Sequence, residues 1–152
     1  MLRPATLRDL QIVTSWVRSA AECTLWAGWR VRYPIDVPAL AASIDFAHQG
    51  GLILTEAQAV IAFGQIVPKA AGRAHLARLI VEPSSRGRGV GRRLVTGLLD
   101  RARIEGHTRS SLNVDPANAV AIRLYERLGF VEARRPADEP DPYGSRYMER
   151  ML

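Results

Sequence analysis

Three glycines alternate with other residues in Arg86-Gly87-Arg88-Gly89-Val90-Gly91, between an apolar run, Leu79-Ile80-Val81, and a helical pattern carried by Leu94, Val95, Leu98 and Leu99. These residue types suit an anion. Gly87, Gly89 and Gly91 lack a Cβ, so a ligand can approach their amides closely and they can take positive φ at little steric cost. The free N–H groups of the following helix point back into the loop, where the helix dipole also favours negative charge. Arg86, Arg88, Arg92 and Arg93 add fixed positive charge. A ligand carrying several phosphates fits such a cradle.

Spacing narrows the ligand. A Walker loop ends in Gly-Lys-Ser/Thr, whereas Gly91 is followed by Arg92-Arg93, with no hydroxyl for magnesium. The dinucleotide fingerprint requires a glycine where Arg92 stands when counting starts at Gly87. The pattern that fits is Arg/Gln-x-x-Gly-x-Gly/Ala, on Arg86, Gly89 and Gly91. A second motif follows it, Asn118-Ala119-Val120-Ala121-Ile122-Arg123-Leu124-Tyr125-Glu126-Arg127-Leu128-Gly129-Phe130. Ala121, Leu124, Tyr125 and Leu128 fall on one apolar helical stripe. Asp115-Pro116 supplies a cap and first-turn proline or a turn just before the helix, and Gly129 stands where a C′ glycine would end it. In this order, the two motifs resemble the pyrophosphate loop and the Asn-x-x-Ala-x-x-Leu-Tyr-x-x-x-Gly-Phe signature of the GCN5-related N-acetyltransferase (GNAT) family.

The resemblance implies a mixed α/β fold, with a mostly antiparallel sheet of about seven strands and about four helices, splayed between strands 4 and 5. One domain would span residues 1–152. Its implied activity is transfer of an acetyl group from acetyl-CoA to a primary amine by direct attack in a ternary complex, without a metal. A non-catalytic acyl-CoA-binding or sensing domain of the same fold is the alternative.

Carried onto this chain, the resemblance assigns the pyrophosphate to Arg86, Gly87, Arg88, Gly89, Val90, Gly91 and Arg92, and the pantetheine arm to backbone groups of Leu79, Ile80 and Val81. One amide there would face the acetyl carbonyl and stabilise the oxyanion that develops on it. Asn118 would bind the pantetheine arm through its side chain, or serve only as a helix cap. Tyr125 would protonate the leaving thiolate, a task open to a phenol of pKa near ~10 that is neutral at pH 7. The plainer role for Tyr125 is a core residue with its hydroxyl satisfied.

Some members of the family use a glutamate on the fourth strand as general base. The corresponding positions here fall near Arg73 or His75. Arginine cannot serve, whereas His75 titrates near ~6.5 when unperturbed. His75 is therefore the candidate base, against a packed bystander, a water chain, or Glu22 from the early helical region. On the acceptor side the family's cleft walls correspond to segments that hold Trp26, Trp29 and Tyr33, and Asp138, Glu139 and Asp141. Aromatics beside carboxylates suit a cationic amine, small or peptidic. The competing picture is tryptophans filling a core and an acidic turn lying in water.

The elements that must position these residues follow from periodicity. Leu2 to Thr6 reads as a first strand, and Leu7, Leu10, Ile12, Val13, Trp16, Val17 and Ala20 as one amphipathic helix. Asp36 caps a second helix that runs to His48, with Pro38 in its first turn. Leu52–Glu56 and Val60–Val67 form a hairpin, His75–Val81 is the fourth strand, and a helix from the glycine loop reaches Glu105. Ser110–Val114, the Tyr125 helix, and strands Phe130–Arg134 and Tyr143–Leu152 around a loop at Pro136–Pro142 complete the chain.

Composition fits this picture. A chain of 152 residues, 47% hydrophobic and 24% charged, can bury one core. No apolar run approaches the roughly 18 residues of a membrane span, Met1-Leu2-Arg3-Pro4 begins no signal-peptide core, and Cys23 has no partner for a disulfide; a cytoplasmic protein without a membrane partner is expected. The net charge of +6 rests on 21 basic residues, all but Lys69 being arginines spread along the chain. We read that excess as a solvated surface plus a coenzyme partner. With neither a stacking-aromatic RNA motif nor a zinc-type Cys/His set, no nucleic-acid partner is expected. The apolar terminal strands suit either a monomer's edge or a homodimer.

Overall fold

Alternating apolar residues between Leu52 and Val81 build the middle of a seven-stranded sheet. The computed structural model describes residues 1–141 and 143–152. The strands are β1 (Leu2–Pro4), β2 (Leu52–Glu56), β3 (Ala59–Lys69), β4 (Arg73–Val81), β5 (Arg109–Val114), β6 (Val131–Glu132) and β7 (Arg146–Met151), in the spatial order β1-β2-β3-β4-β5-β7-β6. Every neighbouring pair is antiparallel except β4 with β5. Helices α1 (Leu7–Thr14), α2 (Ala20–Ala27), α3 (Val37–Ser43) and α4 (Phe46–Gln49) precede β2; α5 (Val90–Ile104) joins β4 to β5, and α6 (Ala119–Arg127) follows β5.

The sheet separates two cores. On one face Val90, Leu94, Val95, Leu98, Leu99 and Ala102, the stripe expected of α5, pack with Ile122, Tyr125 and Phe130. Leu10, Val13, Trp16, Cys23, Leu40 and Ile44 meet Ile53 and Phe63 on the other. Alternation along β3 sends Phe63 to the second core and Ala62 to the first.

Two irregularities matter for function. The parallel register of β4 with β5 runs only from Arg73↔Arg109 to Leu76↔Leu112. Beyond it β4 continues to Val81 beside β3 alone, so the groups of residues 77–81 that face away from β3 have no strand beside them. The second irregularity is a bulge. Gln65 pairs with Ala77 and Phe63 with Ile80, which leaves Arg78 and Leu79 opposite the single residue Gly64. Arg78 takes φ +52°, in the left-handed region.

Among the described residues the α-helices number six because the two early helical segments each divide. Thr6 and Asp9 form a capping box that starts α1, with Arg3 held on Asp9 at 2.8 Å, and Arg3 first, with Thr6, draws the Asp9 carboxyl down to about 2. The helix expected to reach Ala20 stops at Thr14. The hydroxyls of Thr14 and Ser15 donate to the carbonyls of Gln11 and Ile12, and Ser19 caps a new helix through the Glu22 amide. Asp36 caps α3 as expected, but Asp45 at φ +51° ends the continuity before His48. The first strand stops at Pro4, and the last two strands shorten to Val131–Glu132 and Arg146–Met151. Pro142, in the connecting loop, lies outside the described residues.

Candidate active site

Gly87 and Gly89 adopt φ of +75° and +76°, and a Cβ built on either meets nothing within 4 Å. Gly89 is the N-cap of α5 and has no side chain with which to cap it. The first helical bond is Arg93 N–H to Gly89 C=O at 3.1 Å, so the amides of Val90, Gly91 and Arg92 have no partner among the described residues and face the loop. Gly91 sits closest to the helix layer, its Cβ position 3.4 Å from Leu124. Several outward amides at a helix start with open space before them make a cradle for phosphate oxygens.

The arginines around the cradle divide. Arg86 and Arg92 line the cleft, and Arg86 Nε donates to the Val81 carbonyl at 3.1 Å, which ties the loop to the end of β4. Arg88 turns away. Its guanidinium pairs with Glu56 at 3.0 Å, as does that of Arg93 at 2.7 Å, so Arg88 offers the cradle its backbone rather than its charge.

From the cradle a cleft of about 1420 Å³ runs along the open side of β4, bounded by Leu79, Ile80 and Val81 on one wall and by Val114, Asn118 and Tyr125 on the other. Asn118 caps α6 by accepting from the Ala121 amide at 3.1 Å, and only its NH₂ end is left to donate. Asp115 forms the preceding turn, bonding the Ala117 amide. On α6, Tyr125 packs edge-on against Phe130, ring centroids 6.0 Å apart. Burial pushes its phenol up to about 12, and none of the described residues hydrogen-bonds its hydroxyl. Ile122, outside the stripe read from the sequence, is buried beside it.

At the far end of the cleft the side chains form two polar networks. In the first, Arg73, with a side chain only 4% exposed, pairs with Glu139 and donates to Ser111 Oγ at 2.5 Å. Lys69 reaches the same carboxylate at 3.3 Å. Burial acts to raise the pKa of Glu139, but Lys69 and Arg73 outweigh it and the net shift is downward. Ser111 Oγ also lies 2.7 Å from His75 Nδ1. Ser111 Oγ accepts from Arg73 and keeps both its hydrogen and a second lone pair with which to meet Nδ1. Burial first, then the charges of Arg73 and Lys69, hold His75 down at about 4.

The second network surrounds the bulge. Trp26 Nε1 donates to the Arg78 carbonyl at 2.9 Å, and its ring meets Phe63 edge-on. Arg78 Nε donates to Gln65 Oε1, while Gln65 Nε2 donates to the Gly50 carbonyl at 2.5 Å. Trp26 and Trp29 line the cleft, Trp29 largely exposed under Arg30, but Tyr33 lies outside it.

The acidic turn neither lies free in water nor presents three free carboxylates. Glu139 is held by Arg73 and Lys69, and Asp141 by Arg135 at 3.3 Å and by the Ser145 amide, so only Asp138 is exposed and unpaired among the described residues. Arg73, Gln65 and Arg78 were missed in the sequence. Their signal was polar residues inside strands otherwise built for burial.

A seven-stranded sheet splayed after its fourth strand, with a glycine cradle at the mouth of the splay, defines a coenzyme A-type acyltransferase fold. Residues 16–130 match the sequence model of the Acetyltransferase (GNAT) family, and the chain belongs to that family of acetyl-CoA-dependent N-acetyltransferases. Among curated relatives, the [Ribosomal protein bS18]-alanine N-acetyltransferase of Salmonella typhimurium is 33% identical over 111 residues, covering 70% of this chain and 74% of that protein. The mycothiol acetyltransferase of Rhodococcus jostii is 34% identical over 83 residues, covering 55% of this chain but only 26% of that longer protein. The fold matches the Vibrio cholerae spermidine N-acetyltransferase in complex with CoA and spermine, with TM-score 0.78 and 21% identity over 99% of this chain and 94% of that one. It also matches the Thermoplasma acidophilum PaiA N-acetyltransferase in complex with coenzyme A, with TM-score 0.74 and 18% identity over 100% and 98% of the two chains.

Proposed function

We propose that this chain, as a single domain over residues 1–152, transfers an acetyl group from acetyl-CoA to a primary amine by direct attack within a ternary complex. One juxtaposition carries the reading: the unpartnered amides of the cradle, the open side of β4 and the unpartnered Tyr125 hydroxyl all face one cleft. The residues present fit the coenzyme. The cradle amides and Arg86 and Arg92 would hold its pyrophosphate, and the open groups of Leu79, Ile80 and Val81, with the Asn118 NH₂, its pantetheine arm. When bound it supplies the acetyl thioester.

Backbone N–H groups at the bulge end of β4 would face the acetyl oxygen and stabilise the charge that develops there; one such donor is commonly worth about 2.7–4 kcal/mol. Tyr125 donates a strong hydrogen bond to the departing sulfur as the amine nitrogen bonds to the acetyl carbon and the carbon–sulfur bond breaks. The surplus proton of the nitrogen passes to water, from which the released thiolate is protonated. His75 stays neutral through the working range. A base held near 4 takes a proton from an ammonium poorly, so we assign His75 to orienting the acceptor rather than to the base role expected of an ordinary imidazole. Buried, unpaired Cys23 suits the reducing cytoplasm, where we place the protein.

The test is calorimetric titration with acetyl-CoA, followed by a thiol-release screen across amino acids, polyamines, aminoglycosides and peptides. Saturable binding and release with one acceptor class are expected. No binding refutes the proposal, and binding without release on any amine leaves an acyl-CoA-binding domain in its place.

A further inference from the structure

Resting on the acetyltransferase reading above, we propose that Arg78 is the carboxylate receptor of the acceptor subsite, so that the amine acetylated is that of an α-amino acid.

The first observation is an uncompensated charge. Arg78 is half-buried on β4 and lines the cleft, yet none of the described residues places a carboxylate within ion-pair distance of it. The other cations at this end each touch a carboxylate: Lys69 and Arg73 share Glu139, and Arg135 pairs with Asp141. Removing a guanidinium from water without a counter-charge is costly, and burial alone accounts for the downward shift of its pKa.

The second observation is that the group is held in place. Gln65 is fully buried, and its NH₂ end is committed to the Gly50 carbonyl at 2.5 Å. That fixes its oxygen toward Arg78 Nε. The Arg78 carbonyl is in turn fixed by Trp26 Nε1 at 2.9 Å. With Nε engaged by Gln65, the two terminal nitrogens remain as a fork of parallel donors, the geometry that matches a carboxylate.

Position completes the argument. Arg78 and Leu79 are the two bulge residues and lie within the stretch of β4 that has no strand beside it, so the Arg78 backbone adjoins the proposed oxyanion donors while the residue lines the same cleft. An acceptor bound there must carry its anion close to its nucleophilic nitrogen. An α-amino acid has both on one carbon. A polyamine has no anion for Arg78 and adds a second cation beside it.

The experiment compares L-α-amino acids with their own carboxamides and decarboxylated amines, and with spermidine, in the wild type and in Arg78→Gln and Arg78→Lys. Three quantities are measured: kcat/KM by thiol release, calorimetric binding of the amino acid to enzyme saturated with CoA, and acetyl-CoA affinity. In the wild type, amino acids should exceed their carboxamides in kcat/KM by about 10- to 100-fold, the usual worth of a charged hydrogen-bonded contact. Arg78→Gln should bring that ratio near one and abolish amino acid binding, Arg78→Lys should restore part of it, and acetyl-CoA affinity should hold in both. Carboxamides or spermidine used as well as amino acids, a ratio unchanged in Arg78→Gln, or no turnover of amino acids with acetyl-CoA still bound would overturn the inference alone. Failure to bind acetyl-CoA would remove the acetyltransferase reading and this inference with it.

Discussion

Tyr125→Phe separates chemistry from architecture unusually well, because the hydroxyl it removes has no hydrogen-bond partner among the described residues. The edge-on contact with Phe130 at 6.0 Å depends on the ring and is kept. Nothing buried loses a partner, so folding stability should change by less than about 0.5 kcal/mol. The catalytic cost follows from the proton to be moved. A phenol pushed up to about 12 is fully protonated at neutral pH. A thiol of ordinary pKa near ~8.5 lies well below it, so complete transfer is uphill and Tyr125 acts chiefly by donating a strong hydrogen bond as charge leaves on sulfur. Loss of one bond to a charged group costs about 1.5–3 kcal/mol, or roughly 10- to 150-fold in kcat. The assays are single-turnover and steady-state thiol release, calorimetry with acetyl-CoA, and urea unfolding. A kcat within twofold of the wild type refutes the acid role; a matching drop in stability shows instead that the hydroxyl was structural.

Two further substitutions probe the polar end of the cleft. Glu139→Gln removes the carboxylate charge that Arg73, its side chain 4% exposed, shares with Lys69, and should cost about 2–3 kcal/mol, seen as a fall of roughly 5–10 °C in Tm. An unchanged Tm means the clasp contributes nothing. His75 moves from its ordinary 6.5 to about 4 on folding, so the unfolded chain binds the extra proton between those values. Stability linked to His75 is then complete above pH 6.5 and declines by about 3 kcal/mol as the pH falls through 4. Denaturant unfolding of the wild type should lose stability over that window more steeply than His75→Gln, and parallel curves would rule the linkage out.

The glycine loop and the helix after it were legible in the sequence because their pattern is local. Backbone amides at a glycine loop and the stripe of α5 are written in consecutive residues, and the six inward positions from Val90 to Ala102 are all buried. Asn118 and Tyr125 followed from a single motif. The polar end of the cleft was not legible, since its contacts join residues far apart in the chain: Arg73 with Glu139, Arg78 with Gln65, and Trp26 with the Arg78 carbonyl. Periodicity reports which face a residue takes and nothing about its partner across the sheet. The early helices were misjudged for a different reason. Their apolar spacing continues through Ser15–Ser19, and only the local bonds of Thr14, Ser15 and Ser19 show that the backbone turns there.

The Arg78 bulge also divides the molecule by authorship. Everything proposed to hold the coenzyme lies between Leu79 and Tyr125, whereas the opposite wall is drawn mainly from Trp16–Trp29 and from the segment around Pro140, Asp141 and Tyr143. Between the two sets Trp26 bonds the Arg78 carbonyl, and Ile80 packs against the core that Trp16 and Val17 help to build. On the reading proposed above, selection or a library acting at the exposed positions of that wall, Leu25 and Trp29, would change the acceptor and leave coenzyme affinity as the inherited trait.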